Sequence, residues 1–434
     1  MTNTMTYQQA TDYLFASQPA FHIVGAAAYK PGLQNTYSLM EHLGNPHLRF
    51  RSVHVAGTNG KGSVSHLIAA SLQCAGLRVG LYTSPHLLDF RERIRINGQM
   101  IGQQEVVRFV EENRSFLDAL KPSFFETAMA MAFDCFAREQ VDVAVVEVGL
   151  GGRLDSTNII SPLLSVITNI GLDHTEFLGS TLPEIAAEKA GIIKQATPCV
   201  IGETDPQTAP VFLKKAEECG ILGDGLETSG CRLWFADQCA YLRRCRLHDA
   251  PECQLHGLYQ DKNMQTAYVA LRALYPVFPS LRSEAVKRGF AEVCTLTGLR
   301  GRWEVLAKEP LVVCDTGHNS HGIKYVAEQL REQKRPLRIV FGMVDDKDVD
   351  TVMQLMPREA VYYFTQARTR RAIPAERMRA LWRQVAGEKA AASCYQTVEE
   401  AVKAAIKEAA ADDMVFIGGS NYVVGEALSL FPKQ

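Results

Sequence analysis

The sequence predicts an α/β protein in two parts: a larger N-terminal domain with a largely parallel sheet, and a smaller C-terminal Rossmann-like α/β domain. Three observations carry this. Short apolar runs rich in Val and Ile alternate with longer segments of helical periodicity, the pattern of parallel strands buried on both faces between helices. One of these runs passes through a glycine-rich turn directly into a helix pattern. The chain of 434 residues also exceeds the length at which a single hydrophobic core usually stops growing.

The first strand is expected at 52–57, "SVHVAG", followed by strands at 79–84, 141–149, 163–170 and 197–202. A second series is expected at 310–317, 337–343, 360–366 and 413–420. Between strands, "VSHLIAASLQCAG", "SFFETAMAMAFDCFAREQ" and "VEEAVKAAIKEAAADD" have the length and apolar spacing of helices. Residues 220–256 break the pattern with short, Gly-punctuated pieces and read as an irregular or antiparallel excursion, after which "QDKNMQTAYVALRALYPVF" resumes a helix. Gly298 and Gly301 punctuate the chain before a fresh strand at Pro310, which puts the expected boundary near residue 299 and gives domains of 1–298 and 299–434. No internal repeat is evident.

Composition removes several classes of function. An apolar fraction of 47%, 22% charged residues and a formal net charge of -2 are ordinary for a globular protein and give no bias towards nucleic acid. The first residues lack the basic and apolar regions of a signal peptide, and no run reaches the ~18 apolar residues of a membrane span, so a cytoplasmic protein without membrane contact is expected. Eleven cysteines occur without a C-x2-C pair. The densest group, Cys231, Cys239, Cys245 and Cys253, matches no common zinc spacing, and reduced thiols are expected.

The stretch "VHVAGTNGKGS" carries the first chemistry. A strand, a glycine turn (Gly57, Gly60, Gly62) and a helix N-terminus aim backbone N–H groups at one point, which is phosphate-binding geometry. Lys61 can reach outer phosphates and the Ser63 hydroxyl can ligate Mg2+. Gly62 stands between the lysine and the hydroxyl, so the standard G-x-x-x-x-G-K-[ST] spacing is not met. Glu147 lies near the C-terminal end of an apolar strand, where ligands of open α/β sheets sit, and suits a Mg2+ ligand or a turn-capping role. "LLSVITNIGLDHTEFLG" delivers Asp173 and His174 to the same edge. Lys189, read from the residues alone, is a solvated helix lysine, and Phe125 is either a core aromatic or a ligand contact.

Together these motifs resemble the Mur-type ATP-dependent amide ligases, and within them the branch of folylpolyglutamate synthase and bifunctional dihydrofolate synthase. "GTNGKGS" is similar to the family's variant phosphate loop. "YTSPHLLDFRERIRING", "EVGLGGRLDSTN", "NIGLDHTEFLG", "EIAAEKAGIIK", "GLRGRWE" and "CDTGHN" resemble further family motifs, in order, over roughly residues 20–430. The resemblance implies an N-terminal P-loop-type ATPase domain in which Gly57, Thr58, Asn59, Gly60, Lys61, Gly62 and Ser63 wrap ATP phosphates. It implies Ser84 and Glu147 on one Mg2+ and His174 on a second. Asn263, Arg302 and Asp315 are implied as nucleotide contacts, His318 as catalytic, and Lys189 as a carbamylated lysine. Phe125, Leu154, Asp155 and Ser156 are implied to bind the pterin of dihydropteroate or reduced folate.

The implied reaction joins L-glutamate to that acceptor through an acyl phosphate, with two domains closing over ATP, in a protein that is commonly a monomer. Two other readings stand beside it: a cell-wall Mur ligase with a UDP-linked substrate, and a non-catalytic paralogue. Only 50 residues precede the phosphate loop, against the additional N-terminal domain typical of the former, and Lys61, Glu147 and His174 are intact, against the latter. Gln34 and Asn35 depart from the family's acidic-arginine pair, and Asn421 and Tyr422 from its aromatic-His pair.

Overall fold

The computed structural model describes residues 5–17, 32–221, 232–239, 252–345 and 348–431. They divide into two compact units. The first comprises Met1–Gly171, Thr175–Gln254 and Lys262–Gly298; the second comprises Leu299–Gln434 and the short segments Leu172–His174 and Leu255–Asp261.

The first unit is built on eight strands: β1 (Arg51–Ala56), β2 (Val79–Tyr82), β3 (Ile94–Ile96), β4 (Gln99–Met100), β5 (Val143–Glu147), β6 (Leu164–Ile167), β7 (Cys199–Ile201) and β8 (Leu233–Phe235). Their order is β4-β3-β2-β5-β1-β6-β7-β8. From β2 to β8 every pairing is parallel, while β3 and β4 form an antiparallel edge. The inner strands are apolar throughout because both faces are covered: every residue of β2, β5 and β6 is buried. Register then fixes the site. Val55 of β1 lies opposite both Glu147 of β5 and Val166 of β6, so Gly57, Glu147 and Thr168 leave the sheet along one edge.

Local signals start the flanking helices. Ser123 and Glu126 form a reciprocal capping box at the helix Phe124–Arg138, and Thr181 and Glu184 do the same at Leu182–Ala190, each pairing two otherwise orphaned donors. Phe109, Phe133 and Phe136 fill the core on one side, and Ile185, Ile192, Ile201 and Phe212 are buried on the same unit.

The second unit holds β9 (Glu304–Lys308), β10 (Leu311–Cys314), β11 (Leu337–Phe341), β12 (Ala360–Phe364), β13 (Ala392–Cys394) and β14 (Met414–Gly418), ordered β13-β12-β11-β14-β10-β9. All pairings are parallel except β9 with β10. Trp382 packs on Tyr362 with ring centroids 4.2 Å apart at the centre of its core.

Among the described residues all nine expected strands are present; β1 is shifted by one residue at equal length, and the other eight are shorter than their apolar runs. Five more appear, and they explain themselves: β3, β4, β8, β9 and β13 are short or lie at sheet margins, where the apolar signal is weak. Of the expected excursion at 220–256, residues 222–231 and 240–251 lie outside the described residues; the piece between them contains β8, which runs parallel to β7 and not antiparallel. Cys231 and Cys245 fall in the undescribed parts, whereas Cys74, Cys135, Cys219, Cys314 and Cys394 are thiols. Among the described residues, no helix is long and apolar enough to cross a membrane.

Close helix packing supports the phosphate-loop helix, Lys61–Cys74. Gly289 of the helix Ser283–Ala291 comes so near that a Cβ there would lie 2.6 Å from Ser71 Cα and N. A backbone cannot retreat as a flexible side chain can, so Gly289→Val is expected to lower the unfolding free energy by about 1–3 kcal/mol, read by urea denaturation.

Candidate active site

The glycine loop is shaped by what lies against it. Gly57 has φ +146° and Gly60 has φ +79°. A side chain at Gly57 would overlap Thr168 Oγ1, and one at Gly60 would overlap Asn263 Oδ1. Both positions therefore require glycine for space as well as for conformation. The chain after β6 is stitched onto the loop. Thr58 N–H donates to Asn169 O (2.9 Å), Thr58 Oγ1 donates to Gly171 O (3.2 Å), and Gly171 N–H returns a bond to Thr58 Oγ1 (2.9 Å). Asn59 N–H donates to Asn169 Oδ1 (2.9 Å), and Thr168 Oγ1 donates to Asn59 O (2.5 Å).

Lys61 opens the helix and folds its ammonium back over the loop, donating to Gly57 O (3.0 Å) and Thr58 O (3.1 Å). Ser63 is buried in the first turn, with Gly62 between them half-buried. Gly60 at the N-cap supplies no side-chain cap and the first turn carries no acidic residue, so the helix's positive end, which favours anions, faces the loop.

Glu147 ends β5 as a buried carboxylate and accepts a hydrogen bond from Ser84 N–H at 3.1 Å, which brings these two expected oxygen ligands together. A carboxylate and a hydroxyl suit a hard cation whose remaining ligands are phosphate oxygens and water. Among the described residues, no group of three or more His, Cys, Asp or Glu forms a preformed metal cage.

Beside this edge, the turn 149–156 is held from within. Asp155 is buried; its Oδ2 accepts from Gly149 N–H (3.0 Å) and Leu150 N–H (2.9 Å), and its Oδ1 from Thr157 N–H (3.0 Å) and Thr157 Oγ1 (2.5 Å). Burial pushes this carboxyl above its ordinary range, and those hydrogen bonds hold it back. Ser156 Oγ is buried and has no hydrogen-bond partner among the described residues, and Leu154 is half-buried. Phe125 is also half-buried, and its ring sits on Gly149, where a Cβ would overlap it, 5.8 Å from the Tyr82 ring. Phe125 thus packs against the hydrophobic core while remaining partly exposed. The reading of Lys189 as a solvated lysine is corrected: it is only 4% exposed, and its backbone abuts Gly152 of the same turn.

In the second unit, Asp315 is buried beyond β10 and accepts from Gly317 N–H (2.7 Å), Trp303 N–H (2.8 Å) and the Tyr259 hydroxyl. Burial raises its carboxyl, opposed by the Tyr259 bond first. Arg302 bonds Thr316 Oγ1 and Gly301 O, and His318 Nδ1 contacts Thr316 O at 2.9 Å. His174 sits at φ +50°, left-handed for a residue with a side chain, and its N–H donates to Asp173 Oδ1 at 3.0 Å. Asp173 Oδ2 accepts from Asn319 Nδ2 at 3.0 Å. Residue-level reading missed the supporting roles of Thr168, Asn169 and Tyr259. Asn169 and Thr168 lie in a quoted motif and could have been found as hydroxyl and amide beside a glycine loop; Tyr259 carries no sequence signal.

Residues 55–229 match the model of the Mur ligase middle domain, and residues 301–421 that of the Mur ligase glutamate ligase domain. The chain is 35% identical over 346 residues, 75% of its length and 78% of the relative's, to the dihydrofolate synthase/folylpolyglutamate synthase of Bacillus subtilis. The chain belongs to the folylpolyglutamate synthase family of Mur ligases. It is also 34% identical, over 99% of its length, to a probable bifunctional folylpolyglutamate synthase/dihydropteroate synthase of Haloferax volcanii, of which it spans only 51%. The fold is similar to that of Mycobacterium tuberculosis folylpolyglutamate synthase complexed with ADP (TM-score 0.84, 28% identity, 99% and 98% of the two chains). A Yersinia pestis bifunctional folylpolyglutamate synthase/dihydrofolate synthase complexed with AMPPNP and Mn ion gives a TM-score of 0.80 at 29% identity, covering 98% of each chain.

One buried group of this family member gives a test by pH. His54 on β1 is fully buried, and burial, with Lys194 adding to it, holds its imidazole down to about 3 from an ordinary 6.5. Between those values the unfolded chain binds the extra proton, so stability is full above about 6.5 and declines as pH falls, by up to ~1.4 kcal/mol per pH unit from this group. Urea unfolding at about pH 7 and about pH 5 is expected to show a smaller acid loss in His54→Gln than in the parent; equal losses would contradict it.

Proposed function

We propose that the chain is an ATP-dependent ligase that joins L-glutamate to dihydropteroate, to a reduced folate, or to both. The observation that carries this is the juxtaposition at one sheet edge of the clamped Gly57–Ser63 loop with the Glu147–Ser84 pair, supported by family membership. In this reading 1–298 and 299–434 are the ATP-and-pterin and glutamate-ligase domains of a cytoplasmic monomer.

Joining a carboxylate to an amine at neutral pH needs a better leaving group than oxide. The acceptor carboxylate attacks the γ-phosphorus of ATP, giving an acyl phosphate and ADP. The free amine of L-glutamate then adds to the acyl carbon, and the tetrahedral intermediate collapses with loss of phosphate. Gly57, Gly60, Gly62 and Ser63 would cradle the phosphates with backbone N–H groups, Thr58 and Asn59 would wrap them in a loop shaped by their own N–H bonds to Asn169, and Lys61 would exchange its loop carbonyls for the outer phosphates, where charge moves in the transition state. Glu147 and Ser84 would hold one divalent ion and His174 a second. When bound, these ions offset phosphate charge.

Asn263, pressed on Gly60, is proposed to contact the nucleotide, as are Arg302 and Asp315, with His318 acting in catalysis. Phe125 offers an aromatic face, Leu154 an apolar one, and Ser156 a hydroxyl in need of a partner, which suits the flat, polar-edged pterin, with Asp155 at the base of the turn. Lys189 is proposed to be carbamylated: its neutral amine adds to CO2 with loss of a proton, which replaces the cation by an anion that could ligate Mg2+.

Purified protein with ATP, Mg2+, L-glutamate and either dihydropteroate or tetrahydrofolate is expected to release ADP and phosphate in an acceptor-dependent way; no stimulation by either acceptor would sink the proposal. Lys61→Ala is expected to lower turnover by at least about 100-fold with unchanged circular dichroism, and near-normal turnover would remove the phosphate-loop argument.

A further inference from the structure

A buried hydrogen-bond chain links the strand beneath the phosphate loop to the turn proposed to take the pterin. His54 stands on β1, paired with Val146 of β5 and Ser165 of β6, three residues before Gly57. Its Nε2 is 2.8 Å from Thr157 Oγ1, and Thr157 Oγ1 is 2.5 Å from Asp155 Oδ1. The hydroxyl has a single proton, and the carboxylate is the better acceptor, so that proton goes to Asp155. His54 must then donate from Nε2, which leaves Nδ1 without a proton, and Nδ1 is buried with no partner among the described residues. A buried ring nitrogen left unpaired is a cost that an apolar residue on this inner strand would avoid. The other end of the chain shows what it accomplishes. Asp155 Oδ2 gathers the N–H groups of Gly149 and Leu150, and Gly149 is the residue on which the Phe125 ring lies.

We propose that His54 and Thr157 are positioning residues for the pterin-bearing acceptor: acting through Asp155, they hold the 149–156 turn against Phe125. The inference rests on the acceptor assignment made under Proposed function. Both residues are fully buried and their side chains are bonded to each other and on to Asp155, so their removal is expected to act on the acceptor.

The test is the ratio of two Michaelis constants, acceptor over ATP, in the full chain. Thr157→Val, which keeps shape and loses the hydroxyl, is expected to raise the acceptor KM about tenfold while the ATP KM stays within about twofold; Thr157→Ser restores the ratio to within about threefold. If Thr157→Val is not recovered folded, His54→Asn, which withdraws the Nε2 donor, is read the same way. A ratio unchanged from the parent overturns the proposal, as does a Thr157→Ser ratio equal to that of Thr157→Val. Failure of both Thr157→Val and His54→Asn to fold also overturns it, since the pair would then support the whole unit and not the turn. A parent protein that turns over with a flat ratio in the variants removes this inference alone; one that turns over no pterin acceptor removes the functional reading and this inference with it.

Discussion

The reciprocal bonding between Thr58 and the backbone at 169–171 is the constraint on which the site depends. A glycine-rich loop left to itself samples many backbone states, since glycine loses more freedom on ordering than any other residue. Here the loop cannot wander, because its side-chain-free positions are filled by its neighbours: Thr168 occupies the space at Gly57 and Asn263 that at Gly60. Preorganisation of N–H donors is then supplied by β6 and by the helix carrying Asn263. An electrostatic site that needs no rearrangement at the moment of reaction stabilises moving charge most effectively.

The same device recurs along the sheet edge. Gly149 lies beneath Phe125, Gly152 against the backbone of Glu188 and Lys189, and Gly191 against Arg153. Each close approach joins a loop to an element anchored in the core, so a long, irregular segment after β5 acquires a defined shape without regular secondary structure. Asp155 completes it from inside. Its carboxylate accepts from two loop amides and from Thr157, which makes it as much a structural support of the turn as a group presented to a ligand.

How much of this was legible in the sequence depended on whether the signal was local. Strands such as β5 and β6 are buried on both faces, and their continuous apolar runs announce them. The hairpin β3–β4 was missed although Asn97 and Gly98, at φ 45° and 76°, carry the Asn-Gly turn signature between two short β segments. There the apolar run was too brief to draw attention. The strand β8 was hidden because an apolar stretch of three residues says nothing by itself. At the site, Gly57 to Ser63 and Glu147 are proposed from spacing, because a strand that runs into a glycine turn or ends in a carboxylate marks the edge where ligands of open α/β sheets sit. The burial of Lys189 could not be read from spacing, since a helix of nine residues does not reveal which side meets a loop from elsewhere in the chain. Pairings such as Thr58 with Gly171 and His54 with Thr157 join residues more than a hundred positions apart, and no periodicity encodes them.

The central claim is that the loop holds ATP so that its γ-phosphate passes to a carboxylate. It is tested most directly by following that carboxylate's oxygen. With an acceptor carrying heavy oxygen in the reacting carboxylate, a single turnover in ordinary water should deliver one heavy oxygen atom into each released phosphate, because the bond between acyl carbon and bridging oxygen breaks when the amine displaces phosphate. Released phosphate free of label, alongside normal amide formation, would mean that the carboxylate is never phosphorylated, and would contradict the role assigned to Gly57–Ser63.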